Sequence, residues 1–145
     1  MELDPAALKR LTQGTLAELL GITLTYASPQ RVAGAMPMRA ELTQPFGFIH
    51  GGAVMTLLDT LAGIGSALNV PPATSFTTVE FKINFLRSIR AGSVSGEATP
   101  VHLGRRTHVW QAVAHDHEGR QMALVTLTQM LIEPQGASDL KGRRE

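Results

Sequence analysis

Between His50 and Leu68 the sequence carries one helical segment that is apolar around most of its circumference. Val54, Met55, Leu57, Leu58, Leu61, Ala62, Ile64 and Leu68 wrap it, and a helix apolar nearly all round is a buried one. The remaining stripe, Gly52, Thr56, Asp59, Gly63 and Ser66, recurs every three or four residues and so runs along one line. Something must cover this helix, and the flanking sequence alternates like β structure. "ITLTYAS" and "RVAGAMPMRAEL" read as strands joined at Ser28-Pro29-Gln30. After Thr74 come "TTVEFKINFLRS", "GSVSGEATPVHLG", "RTHVWQAVAHD" and "RQMALVTLTQMLIE", with a turn at Glu118-Gly119. In the first of these, Val79, Phe81, Ile83 and Phe85 are expected to face the core, and Thr78, Glu80, Lys82 and Asn84 to face away. The expectation is an α+β architecture, an antiparallel sheet wrapped around a long central helix. Gly63 and Gly65 are expected to let a neighbouring backbone approach that helix.

A chain of 145 residues suits one domain. Its core is expected over about 20–132, with short helical pieces over 4–20 broken near Gly14, and a frayed polar tail at 133–145. Asp4-Pro5 reads as the N-cap and first turn of the first helix. A net charge of +1 gives no overall field for nucleic acid or an acidic membrane. The absence of cysteine excludes disulfides, thiol catalysis and zinc–thiolate sites. No signal-peptide pattern opens the chain, and no apolar run reaches the roughly 18 residues of a membrane span. The expectation is a cytoplasmic protein with neither a nucleic-acid nor a membrane partner.

His50-Gly51-Gly52 stands where the long helix starts. The first N–H groups of a helix lack internal acceptors and carry partial positive charge, so glycine there opens them to an anion or a developing oxyanion. The same glycines also suit a plain loop-to-helix turn, and spacing leaves both readings open. Asp59 follows nine residues after His50, roughly 13 Å along the axis. One chain does not easily bring both to a small ligand. Either a second subunit supplies one of them, or Asp59 is satisfied at a dimer contact or by a strand amide.

Five histidines raise a metal site, but only "HDHE" at 115–118 sets them beside carboxylates, and it reads as a turn; no metal is expected. "GSVSG" misplaces its serine for a nucleophile elbow, and "GIGSAL" lacks the third glycine of a dinucleotide loop. Gly104, Arg105 and Arg106 in "HLGRRTHVW" suit phosphates held by side chain and backbone N–H together, with Arg87 and Arg90 widening the patch. A solvated basic hairpin is the plainer alternative.

"TQPFGFIHGGAVMTLLDTLAG" resembles the active-site segment of hotdog-fold acyl-CoA thioesterases, the family of the phenylacetate-pathway (PaaI-type) and aryl-CoA enzymes. "FLRSIRAG…GEATPVHLGRRTHVWQ" is similar to the same family, and the likeness covers roughly residues 20–132. The resemblance implies a hotdog fold and hydrolysis of an acyl- or aryl-CoA, such as phenylacetyl- or hydroxybenzoyl-CoA. It implies no cofactor, coenzyme A being part of the substrate, and a homo-oligomer that is a dimer at least and usually a tetramer. By the same resemblance Gly51 polarises the thioester carbonyl, and Asp59 of the facing subunit acts as nucleophile or general base. Gln44 orients water or carbonyl, and His50 holds the loop and the helix start. Gly52 is a candidate substrate-binding residue, while Gly104, Arg105 and Arg106 meet the coenzyme A phosphates, with Arg87 a further candidate. Relatives sharing the Gln-Pro-Phe-Gly segment commonly carry glutamate where Asp59 stands, and phenylacetate-type members usually have asparagine where Gln44 stands. The aryl-CoA enzymes place Ser or Thr one turn after the acid, where this chain has Gly63; Thr78 is the candidate to supply that hydroxyl. A hotdog dehydratase and a non-catalytic acyl-CoA-sensing domain are the other readings.

Overall fold

In the computed structural model, which describes residues 3–132, the chain opens with a capped helix. Asp4 accepts a hydrogen bond from the Ala7 N–H at 2.8 Å and Pro5 fills the first turn, giving α1 (Pro5–Thr12). The chain then turns through Gly14, whose φ of 71° suits glycine, into the short α2 (Leu16–Leu19). β1 (Thr23–Ser28) and β2 (Arg31–Pro37) form a hairpin, and a single 3-10 turn (Ala40–Leu42) leads to the polar loop. The long helix α3 spans Gly51–Ala67, between the caps His50 and Leu68. β3 (Ser75–Phe85), β4 (Ser93–Leu103), β5 (Thr107–Asp116) and β6 (Gln121–Ile132) follow.

All six strands form one antiparallel sheet in the order β1-β2-β4-β5-β6-β3. The sheet curls about α3, which buries Val54, Leu57, Leu58, Leu61 and Ala62 against Val32, Met36, Val94, Trp110, Val125 and Leu127. Leu57, Leu58 and Leu61 are fully enclosed, each worth roughly 2–3 kcal/mol relative to exposure. The expected α+β layout is the one observed. The tail at 133–145 lies outside the described residues.

Three expectations are corrected. In β3 the alternation breaks at Val79, an extra residue between the pairs Thr78↔Gln129 and Glu80↔Thr128. This bulge turns Val79 outward, 55% exposed, and brings Thr78 onto the helix-facing side with Phe81 and Ile83. Ser66, placed by spacing on the polar stripe, is fully buried and faces the sheet. What crowds Gly65 is the Trp110 ring rather than a backbone, and Gly63 has only ordinary contacts at 3.8 Å. The rest of the stripe, from Gly52 through Thr56 and Asp59 to Gly63, is half-exposed in a single protomer.

Candidate active site

α3 starts where it does because His50 caps it. The His50 backbone is extended, and its Nδ1 accepts a hydrogen bond from the Gly52 N–H at 2.8 Å. A ring nitrogen that accepts carries no proton, so a neutral His50 holds its proton on Nε2. The Ala53 N–H goes to the His50 carbonyl at 3.0 Å. The Gly51 N–H has no acceptor among the described residues, and it stands at the positive end of a 17-residue helix. A cleft of about 480 Å³ passes it, lined by Gln44, Phe85, Arg87 and Ser88 among others.

The loop before the helix is firmly tied. Thr43 bridges Ile49, the Gln44 N–H donates to the Phe48 carbonyl at 2.8 Å, and the His50 N–H donates to that of Leu42 at 2.7 Å. The Arg90 guanidinium donates to the Phe46 carbonyl at 2.9 Å and lies 3.8 Å from the Phe48 ring centroid. Arg90 is therefore a loop clamp. The Gln44 side-chain oxygen accepts from the Phe46 N–H, and its amide NH₂ has no partner among the described residues.

Asp59 lies eight residues beyond Gly51, roughly 12 Å along the helix, in a separate cleft of about 290 Å³ with Met55, Thr56, Thr78 and Phe81. Its carboxylate accepts from the Thr78 hydroxyl at 3.0 Å, and no cation pairs with it among the described residues. This cleft meets a larger one, about 640 Å³, at Leu16 and Thr56, where α2 faces α3. The larger cleft runs back to His50 and Gly52, but the Gly51 N–H lies on the other cleft, lined by Gln44 and Phe85. The length of helix between Gly51 and Asp59 keeps the open terminus and the carboxylate apart within one protomer.

The basic residues do not converge within a protomer. Arg87 flanks Gly51 at the start of α3, whereas Arg105 lines a cleft with Asn69, Thr74 and His108 past its end, roughly 25 Å away along the helix. With Arg90 engaged elsewhere, the widened patch expected from sequence is not present in one chain. Arg105 and Arg106 are exposed at the β4–β5 hairpin. The Gly104 N–H donates to the Thr107 carbonyl at 2.9 Å, so that glycine offers no backbone donor to a phosphate. In "HDHE", Asp116 is a turn clamp, accepting from the Glu118 and Arg120 N–H groups at 2.9 Å each and from Arg120 Nε at 2.8 Å. Burial pushes its carboxyl up, but the Arg120 backbone and side-chain hydrogen bonds outweigh it and hold the group below the usual carboxylate value.

Two features escape a reading of pattern alone. The Phe85 ring leans over Gly51, so close that a Cβ there would stand 2.8 Å from it. Gln129 is buried on the same face of β6 as Val125 and Leu127, opposite Thr78. A glutamine in phase with apolar residues on a strand is the signal that marks it.

The sequence profile of the Thioesterase superfamily matches residues 46–123, more than half of the chain and the whole of α3. The chain belongs to the thioesterase superfamily. Among relatives of this thioesterase, the "proofreading thioesterase EntH" of Klebsiella pneumoniae is 34% identical over 83% of this chain and 88% of its own. The 1,4-dihydroxy-2-naphthoyl-CoA hydrolase of Escherichia coli is 30% identical over 87% and 93%. Crystal structures agree: a mutant of the Pseudomonas aeruginosa thioesterase PA1618 superposes with a TM-score of 0.84 at 30% identity, covering 90% of this chain and 94% of that one. The Haemophilus influenzae thioesterase HI1161 gives 0.86 at 27% identity, covering 93% and 94%. The fold is the hotdog fold, and the enzyme class is thioester hydrolase. No helix among the described residues is long and apolar enough to cross a membrane.

Proposed function

We propose that this thioesterase hydrolyses an acyl- or aryl-CoA to the free acid and coenzyme A at a site built from two protomers. The observation that carries the reading is the Asp59 carboxylate, half-buried on the exposed stripe of α3 and held by one neutral donor without a cation. A second copy supplies what one chain lacks: Gly51 of one protomer faces Asp59 of the other. β3 is the last strand of the sheet, and pairing of its free edge with a second copy joins the two sheets.

At that site the Gly51 N–H receives the thioester oxygen and stabilises the oxyanion as the carbonyl is attacked. Asp59 either takes the proton of a water that attacks the carbonyl, after which the coenzyme A thiolate leaves, or attacks the carbonyl itself. In the second case the departing thiolate leaves an acyl–aspartyl anhydride, which water then hydrolyses to the free acid. The Gln44 NH₂ orients the water or the carbonyl, and Thr78 fixes the carboxylate. Arg105 and Arg106 meet the coenzyme A phosphates through their side chains, Arg87 of the facing protomer adding to them. The reaction uses no cofactor. The dehydratase alternative needs a histidine base, and the Nδ1 lone pair of His50 is engaged in capping α3.

The likeness to the dihydroxynaphthoyl-CoA hydrolase favours a thioester of an aromatic acid, with hydroxybenzoyl-CoA, an aroyl thioester, and phenylacetyl-CoA, an arylacetyl one, as candidates. The assembly is a dimer at least, built up to a tetramer, and it works in the cytoplasm. The test is thiol release from benzoyl-, phenylacetyl-, hydroxyphenylacetyl-, short-chain and long-chain acyl-CoAs. An aryl-CoA should be turned over fastest, with Asp59→Asn slower by about a hundredfold or more and still folded. Release from none of them by a folded oligomer overturns the reading in favour of a binding module.

A further inference from the structure

The Thr78 hydroxyl that donates to Asp59 is the near end of a longer chain of hydrogen bonds. Gln129 Nε2 lies 3.4 Å from Thr78 Oγ1, and the other end of the same amide accepts from the Ser66 hydroxyl. Ser66 Oγ is also 2.9 Å from the indole Nε1 of Trp110 and 2.9 Å from Nδ1 of His108. Ser66 and Trp110 are 0% exposed, Gln129 1% and His108 3%. Buried groups of this kind are costly when unpaired, and none among the described residues is left without a partner.

The direction of every bond follows from the carboxylate. An ionised Asp59 only accepts, so the single proton of Thr78 must point at it. Thr78 Oγ1 is then left to accept, which turns the Gln129 NH₂ toward it and the Gln129 oxygen toward Ser66. Ser66 must donate to that oxygen, and its lone pairs receive the Trp110 N–H and a proton on His108 Nδ1. Every donor in the chain therefore points toward Asp59, an alignment in which each bond polarises the next. Reversing any one amide or hydroxyl leaves two acceptors facing each other. Asp59 Oδ1 is held by this chain, and Thr78 is the only hydrogen-bond partner of the carboxylate among the described residues.

We propose that Gln129, Ser66 and His108 form, through Thr78, a buried positioning chain that fixes one oxygen of the Asp59 carboxylate and leaves the other for the reaction. The inference rests on Asp59 being the reactive carboxylate. None of the three new residues touches substrate; they act through Thr78. On the helix side the chain passes Gly63, where a Cβ would stand 3.8 Å from Gln129 Nε2, an ordinary contact that leaves the amide undisturbed.

Two readouts test it, one of which needs no turnover. Trp110 is the only tryptophan in the sequence, so its indole N–H gives a single resonance at the far end of the chain. Asp59→Asn should move that resonance in the otherwise wild-type protein and leave it in place when Thr78→Val has cut the chain. An indole peak indifferent to Asp59→Asn, or moved equally in both backgrounds, overturns the proposal. In the kinetic arm, Gln129→Met should lower kcat about tenfold with KM unchanged. Added to Thr78→Val it should cost nothing further, because the link through which it acts is already gone. Thr78→Ser, which keeps the hydroxyl, should recover most of the rate lost in Thr78→Val. Effects of Gln129→Met and Thr78→Val that multiply, or a Gln129→Met enzyme with unaltered kcat, overturn the proposal. A wild-type protein that hydrolyses no thioester sinks the proposed function instead, and the indole response then decides the chain by itself.

Discussion

A methyl group added at Gly51 and one added at Gly65 each meet an aromatic ring, with opposite consequences. At Gly51 the ring is Phe85, which is 54% exposed in a single protomer and meets the new methyl group only with the far edge of its ring. Gly51→Ala should therefore fold normally, while its methyl group crowds the oxygen that the N–H is proposed to receive. We expect kcat to fall about a hundredfold, with a urea midpoint close to wild type. At Gly65 the new Cβ would overlap the ring of Trp110, which is 0% exposed and held by Ser66. That ring has nowhere to go. Gly65→Ala should cost about 3 kcal/mol in urea unfolding, at the upper end of what overpacking a core does.

At the scale of elements, the β5–β6 turn rests on Asp116. Its folded-state value is depressed by the Arg120 and Glu118 donors against the opposing pull of burial, so its contribution is present at neutral pH. That contribution is lost as pH falls from about 3.8 through the lower folded value, because the protonated acid no longer accepts from all three groups. Asp116→Asn should melt at lower temperature than wild type at pH 7, and the two melting curves should converge in acid. The Val79 bulge is the other element-scale device. It shifts one residue of β3 and so exchanges which of Thr78 and Val79 faces α3. Without it the hydroxyl that meets Asp59 would point to solvent.

At the scale of the molecule, the separation of Gly51 from Asp59 makes a prediction about pairs of chains. Asp59→Asn and an inactive Gly51 variant should each be nearly dead alone. Unfolded and refolded together, they should regain roughly a quarter of the wild-type rate, since half the dimers are mixed and each holds one intact site. Titrating one variant into the other during refolding, with thiol release as the readout, measures this. No recovery would mean that one chain builds its own site.

The sequence by itself determined the layout: an apolar helix too greasy to leave uncovered, its start at His50-Gly51, and strands whose period-two alternation announces a sheet around it. These are local signals, set by the backbone periods of 3.6 and 2 and by end chemistry, and they need no tertiary information. The phenylalanine-glycine loop and the Asp59 stripe were legible for the same reason. Tertiary structure alone decided the bulge at Val79, because an extra residue shows only when Gln129 and Thr128 are paired opposite. It also decided that Ser66 turns inward. On the helix Ser66 sits in line with Asp59, but the curled sheet reaches around that end and brings Trp110, His108 and Gln129 against it. Spacing tells which residues share a line; only packing tells what stands opposite.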